Sequence, residues 1–219
     1  MSARESKLHQ GMPVLTSGHA LDTARAAMIM IHGRGASAES ILQLAEVLDQ
    51  PGFACIAPQA ANATWYPNSF LQPIDTNEPW LTSALRVIAD VLRMVSDAGV
   101  PPERTMLLGF SQGACLSLEY VARNARRYGG VAGLSGGLIG PDGTPRDYPG
   151  ALDGTPVFLG CSDIDFHIPA ERVRHSAEVL RGLGADVTER LYPGMGHEIN
   201  HDEIRFVQQM MASVVASAE

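Results

Sequence analysis

Short apolar runs alternate with longer amphipathic stretches along the chain, and this rhythm predicts the elements. Ala26–Ile31 (Ala-Ala-Met-Ile-Met-Ile) is apolar at every position, as a strand buried on both faces would be. Ser40–Leu48 places Ile41, Leu44, Ala45 and Leu48 on one face of a helix. Phe53–Ala57 reads as a second strand, followed by a long irregular stretch, Pro58–Glu78, rich in Pro and Asn. Trp80–Ala98 has helical periodicity through Leu81, Leu85, Ile88, Val91, Leu92 and Val95, and Gly99 with two prolines ends it. Thr105–Phe110 predicts a strand and Ala114–Asn124 a helix. Gly130–Leu134 and Pro156–Leu159 read as short buried strands. Ala170–Leu183, Val187–Tyr192 and Glu203–Val215 complete the pattern as helix, strand and helix.

Such alternation with unbroken apolar strands means an α/β fold, a mainly parallel central sheet with helices on both faces. Folds of this kind carry their sites at the C-terminal ends of the strands, where chemistry is to be sought. No linker or repeat divides the chain, which predicts a single domain over 13–219 preceded by a flexible arm over 1–12.

Charge and composition narrow the function classes. Sixteen basic against 24 acidic residues give a net charge of −8, and no dense Lys/Arg run exists, so nucleic acid is not an expected partner. The cluster Arg123, Arg126 and Arg127 reads as a solvated helix end. Three scattered cysteines, Cys55, Cys115 and Cys161, lack CxxC spacing and predict buried reduced thiols rather than a disulfide framework or a zinc site. Neither a leader-type apolar segment nor a run of the ~18 residues needed to span a bilayer occurs, so the expected location is cytoplasmic. The sequence leaves a homodimer open.

Gly109-Phe110-Ser111-Gln112-Gly113 matches G-x-S-x-G, the pattern of a sharp strand-to-helix turn with an exposed serine at its apex. The pattern alone is weak, because Gly133-Leu134-Ser135-Gly136-Gly137 matches it too. Context separates them. Ser111 lies between a predicted strand and a predicted helix, whereas Ser135 runs into Leu138-Ile139-Gly140-Pro141, which cannot start a helix. Ser111 is therefore the expected nucleophile and Ser135 a strand-end residue near the pocket floor.

His32-Gly33-Arg34-Gly35 directly follows the Ala26–Ile31 strand, where an oxyanion-binding loop belongs. The expected oxyanion donors are the backbone N–H groups of Arg34 and of Gln112, the residue after the nucleophile. The Arg34 side chain is either solvated or free to meet an anionic substrate. His32 is expected to hold its loop. Gly194-Met195-Gly196-His197 follows the last strand and presents an imidazole on a strand-end loop, so His197 is the expected base. His9, His19, His175 and His201 read as solvated, and His167, the one other candidate base, lies beside the expected acid and leaves no later acid for a Ser, acid, His order. For the acid, Asp163 and Asp165 both follow the Pro156–Leu159 strand, and spacing does not choose between them.

These stretches resemble the phospholipase/carboxylesterase family of α/β-hydrolases, which includes the acyl-protein thioesterases. The resemblance rests on His32-Gly-Arg-Gly, Gly109-Phe-Ser-Gln-Gly, Leu134-Ser-Gly-Gly, Asp163-x-Asp165-x-x-Ile168-Pro169 and Gly194-Met-Gly-His197, spread over nearly the whole chain. It implies an α/β-hydrolase fold without a large cap domain and a Ser111–Asp165–His197 triad, with no metal and no organic cofactor. It also breaks the tie between the acids, since the family's acid stands three residues before a Val/Ile-Pro. Cys161-Ser162 stands where the family usually has His-Gly, Ala36-Ser37 follows a loop that often continues with Asp, and Phe166 replaces a frequent proline. None of these removes a catalytic atom.

The expected function is serine carboxylesterase action on small-molecule esters of short to medium chain. The alternatives are an acyl-protein thioesterase or lysophospholipase-type hydrolase, and a non-catalytic scaffold of the same fold. Trp65, Tyr66, Phe70 and Leu71 in the long irregular segment are expected to wall the substrate pocket, with Ser135 at its floor.

Overall fold

The computed structural model describes residues 8–216. Seven strands form one sheet: β1 (Val14–Gly18), β2 (Ala26–Ile31), β3 (Phe53–Pro58), β4 (Thr105–Phe110), β5 (Gly130–Leu134), β6 (Pro156–Ser162) and β7 (Asp186–Tyr192). Their order across the sheet is β1-β3-β2-β4-β5-β6-β7, and every pairing is parallel except that of β1 with β3. Five helices cover it: α1 (Ala38–Leu48), α2 (Trp80–Asp97), α3 (Gln112–Arg123), α4 (Ala170–Gly182) and α5 (His201–Ala216). This is the expected α/β-hydrolase fold, and no large cap interrupts it among the described residues.

The period-two geometry of a strand explains the two cores. Ala27, Ile29 and Ile31 of β2 point to the face covered by α2, α3 and α4. Ala26, Met28 and Met30 point to the opposite face, where α1 and α5 supply Ile41, Leu48, Val207 and Met211. A central strand buried on both sides has to be apolar throughout, which is why β2, β3 and β4 are plain in the sequence. Helix α1 begins where Ser37 accepts a hydrogen bond from Ser40 N–H and the Ser40 hydroxyl meets Ser37 in return, a reciprocal cap. At α5, the Asn200 side chain accepts from the N–H groups of Asp202 and Glu203, while Glu203 accepts from Asn200 N–H. That cap fixes the loop immediately after His197.

Three expectations need correction. The pattern did not reveal β1, an edge strand whose residues alternate between exposed and half-buried and show no apolar run. Helix α3 starts at Gln112 rather than Ala114, directly on the serine turn. Of the flexible arm expected over 1–12, residues 1–7 lie outside the described residues, but the segment from residue 8 onward packs against the body. His9 is buried between Trp65 and Trp80, receives Ala61 N–H at Nδ1, meets the Trp65 carbonyl through Nε2 and donates its N–H to Ser83 Oγ. Its polar ring is compatible with burial because both nitrogens find backbone partners. The predicted reduced thiols hold: Cys55, Cys115 and Cys161 are free and buried, and desolvation pushes the last two up to about 12. Among the described residues no helix is long and apolar enough to cross a membrane.

Candidate active site

Strand β4 ends at Phe110 and α3 begins at Gln112, so Ser111 alone makes the turn. Its φ of 55° and ψ of −118° are strained for a residue with a Cβ. The strain is held by hydrogen bonds on both sides: Ser111 N–H donates to Leu134 O, and Cys115 N–H donates to Ser111 O. The turn is also crowded. A Cβ on Gly113 would stand 2.1 Å from the Ile31 carbonyl oxygen, so only glycine lets α3 start this close to β2. As a result the Ser111 hydroxyl stands clear at the C-terminal edge of the sheet.

There the hydroxyl meets the loop that follows β7. His197 Nε2 lies 2.8 Å from Ser111 Oγ, and His197 Nδ1 lies 2.7 Å from Asp165 Oδ2. An ionised carboxylate can only accept, so Nδ1 carries the proton and Nε2 offers its lone pair to the hydroxyl. The other Asp165 oxygen accepts from the N–H groups of His167 and Ile168. Burial pushes Asp165 upward, but the hydrogen bond to His197 and the two backbone donors outweigh it and hold the carboxyl below the usual carboxylate value. Asp163, the other acid left open by spacing, instead accepts from Gly194 N–H and ties the acid loop to the histidine loop.

The departures Cys161 and Ser162 work in the same place. Cys161 Sγ lies 3.8 Å from Asp165 Oδ2, and the Ser162 hydroxyl donates to the Met195 carbonyl while receiving Ile164 N–H. Together with Asp163 they brace the two loops that bring Asp165 and His197 together.

The His32–Gly35 loop lies beside the serine turn. Among the described residues neither Arg34 N–H nor Gln112 N–H has a protein acceptor, and both residues line the cleft beside Ser111. Gln112 N–H is at the first position of α3, where the helix dipole favours negative charge. His32 holds its loop, with Nδ1 against Gly33 O and Nε2 receiving Ala60 N–H. Burial lowers its pKa, as it does that of His9. Arg34 is exposed to solvent, as one of the two expectations had it, but its guanidinium is also tied to the protein. It donates to the carbonyls of Tyr66, Pro67 and Asn68. The Gln112 side chain grips the same segment, accepting from Trp65 N–H and donating to the Tyr66 carbonyl. The two residues whose N–H groups lack a protein acceptor among the described residues therefore also hold the Tyr66–Asn68 segment of the cleft.

That wall closes one side of a cleft of about 480 Å³ that contains Ser111 and His197. Of the expected wall residues, Tyr66 and Phe70 line it. Trp65 does not: it is fully buried and donates Nε1–H to His32 O, holding the His32–Gly35 loop. Leu71 packs half-buried against the core, and Ser135 lies under the surface with its hydroxyl outside the cleft. His167, weighed in the sequence only as an alternative base, and Ile168 also line the cleft, a place that their position beside Asp165 could have signalled.

Known proteins share the sequence pattern and the fold of this chain. The sequence profile of the family described as Phospholipase/Carboxylesterase matches residues 18–215. A crystal structure of a phospholipase/carboxylesterase from Dyadobacter fermentans DSM 18053 superposes with a TM-score of 0.89 at 42% identity, covering 92% of this chain and 97% of that one. Acyl-protein thioesterase 1 of Gibberella zeae is 37% identical over 125 residues, 56% of this chain and 53% of that protein, so the match spans about half the relative's length. Acyl-protein thioesterase 1 of Kluyveromyces lactis is 26% identical over 212 residues, 88% of this chain and 93% of that protein. Acyl-protein thioesterase 2 of Zea mays shares the fold, with a TM-score of 0.70 at 17% identity and coverage of 93% and 99%.

Proposed function

The chain belongs to the phospholipase/carboxylesterase family of α/β-hydrolases, and from that premise we propose that it hydrolyses small carboxylic esters of short to medium acyl chain through an acyl-enzyme on Ser111. The observation that carries this reading is the hydrogen-bond chain from Ser111 Oγ through His197 to Asp165, at 2.8 and 2.7 Å, opening into a cleft of ligand size.

In the first half-reaction His197 Nε2 takes the Ser111 proton as Oγ bonds to the ester carbonyl carbon. The carbonyl oxygen becomes an oxyanion, held by the N–H groups of Arg34 and Gln112. Losing one such donor typically costs about 3 kcal/mol of barrier. Asp165 keeps the imidazole oriented and stabilises its charged form. The carbon–oxygen bond to the alcohol then breaks, and the proton on Nε2 passes to the departing oxygen. In the second half-reaction water gives a proton to Nε2, its oxygen bonds to the acyl carbon, and Oγ leaves with that proton to release the acid.

Tyr66 and Phe70 lie where the acyl chain would run. Arg34 and Gln112 hold this wall by its carbonyls, which favours a pocket of fixed, limited length. A second reading, thioester cleavage on acylated proteins, is favoured by the names of the relatives and uses the same atoms with a thiol as leaving group. A p-nitrophenyl ester series from acetate through butyrate and octanoate to palmitate separates the two. The proposal expects a maximum at acetate or butyrate that Ser111→Ala abolishes. A maximum at octanoate or beyond transfers the assignment to the thioesterase reading, and hydrolysis surviving in Ser111→Ala refutes the nucleophile.

A further inference from the structure

Three rings gather on the His197 imidazole. Phe110 lies 5.0 Å away between centroids, His167 4.9 Å away edge-on, and Phe166 6.5 Å away. Phe166 also lies against His167 at 4.1 Å. Phe110 and His167 line the cleft, while Phe166, not among the lining residues, touches the cleft's His167 and His197 and is 81% exposed. Its neighbour Ile164 is 67% exposed, so the two most exposed large apolar side chains of the described residues sit on the loop that carries Asp165. An apolar ring held open in water gains free energy only when something covers it.

The geometry of acyl transfer says what that cover would be. His197 must give its Nε2 proton to the oxygen of the leaving alcohol, so the alcohol portion passes alongside the imidazole, away from the oxyanion donors. The groups packed against the imidazole on its open side are then the groups the alcohol meets. Here they are rings rather than charges. We infer that Phe166, resting on His167, is a shelf for the alcohol portion of the ester, and that it selects apolar alcohols bearing an aromatic ring. This inference rests on the ester-hydrolase reading and adds to it the leaving-group class.

The shelf is anchored without using the Phe166 side chain. Asp165 accepts the N–H groups of His167 and Ile168, and Cys161 Sγ reaches the Ile168 carbonyl at 3.9 Å. Removing the ring therefore leaves the loop and the acid supported.

The test uses butyrate esters of methanol, cyclohexylmethanol, benzyl alcohol and 2-naphthylmethanol. Their leaving groups have similar intrinsic reactivity, and kcat/KM reports acylation, the step in which the alcohol is still bound. The wild-type chain should prefer the benzyl and naphthylmethyl esters to the methyl ester. Phe166→Ala should lower kcat/KM for the aromatic esters by about 3- to 10-fold, the worth of one aromatic pair, with the methyl ester within about 2-fold. Phe166→Leu should keep the cyclohexylmethyl ester and lose part of the aromatic preference, and Phe166→Trp should retain it. An equal loss on every alcohol would make Phe166 a support for His197 and overturn the shelf, as would no change on any. Hydrolysis of none of these esters by the wild-type chain, together with none of the p-nitrophenyl series, would overturn the ester reading itself.

Discussion

Two serines of this chain occupy nearly the same local structure. Ser111 and Ser135 each follow a glycine-x step, and pairing of β4 with β5 sets Gly109 opposite Gly133 and Phe110 opposite Leu134, so the turns lie side by side. Their φ angles are 55° and 52°. Each N–H donates to the next strand, Ser111 to Leu134 O at 2.9 Å and Ser135 to Gly160 O at 2.7 Å. Beyond that they diverge. Ser111 opens onto the cleft and meets His197, while Ser135 is fully buried and its hydroxyl has, among the described residues, only the Cys161 thiol beside it, with no base in reach. The glycines of the second turn serve the first: a Cβ on Gly136 would stand 2.4 Å from the Ala114 methyl, so Gly136 makes the seat on which α3 begins. A motif, and even the strained backbone that goes with it, does not make a nucleophile. A helix starting at the serine and a base within reach are what separate the two.

Ser111→Ala should break the comparison outright. Removing a triad nucleophile costs about 10⁴-fold or more in kcat, so steady-state ester hydrolysis should drop to that level while the thermal midpoint stays within a few degrees. Gly136→Ala should sharpen it from the other side. The glycine of the unused motif is expected to matter, because the added methyl overpacks α3 at a cost of about 1–3 kcal/mol. A thermal melt should show a midpoint lower by several degrees.

The next effect is smaller and depends on pH. The loop flanking the Ser111 turn leans on His32, and His9 holds the segment behind it, both as neutral rings with folded-state pKa values lowered from 6.5, chiefly by burial. The unfolded chain takes up these protons near 6.5 and the folded chain resists them. Their contribution is therefore intact above that value and is lost as the pH falls below it. Burial pushes Glu203 up to about 7, which acts in the opposite sense over the same range, so the readout is the difference between chains. From pH 7.5 to 5.5, His9→Gln should lose less thermal stability than the wild type, and an equal change in both would contradict the His9 contribution. The smallest effect belongs to Ser135→Ala. It deletes a buried hydroxyl whose one polar neighbour among the described residues is the weakly bonding Cys161 thiol, so activity should stay within about 2-fold and stability within about 1 kcal/mol.

What the sequence made legible follows from how each element is buried. β2 through β6 were readable because strands covered on both faces are apolar without interruption. β1 was not, since an edge strand needs no such run. The serine turn and the histidine loop were readable because each is set by glycines at fixed offsets. The side of the long loop that Trp65 would face was not, because an irregular segment has no period from which to infer burial. For the same reason the Arg34 guanidinium, spent on three carbonyls more than thirty residues away, and the His9 ring, satisfied by Trp65 and Ala61, could not be read from neighbouring positions. Asp163 and Asp165 were equivalent by spacing and are told apart by their partners: Asp163 accepts from Gly194 N–H, while Asp165 meets His197 and accepts from His167 and Ile168 N–H.

The most direct test of the central claim, that Ser111 rather than its neighbour is the nucleophile, is covalent trapping. The protein is treated with an alkyl fluorophosphonate, and the adduct is located by peptide mass spectrometry in the wild-type, Ser111→Ala and Ser135→Ala chains. The account predicts one adduct per chain, on Ser111, absent from Ser111→Ala and undiminished in Ser135→Ala. An adduct on Ser135, or one that survives in Ser111→Ala, would contradict it.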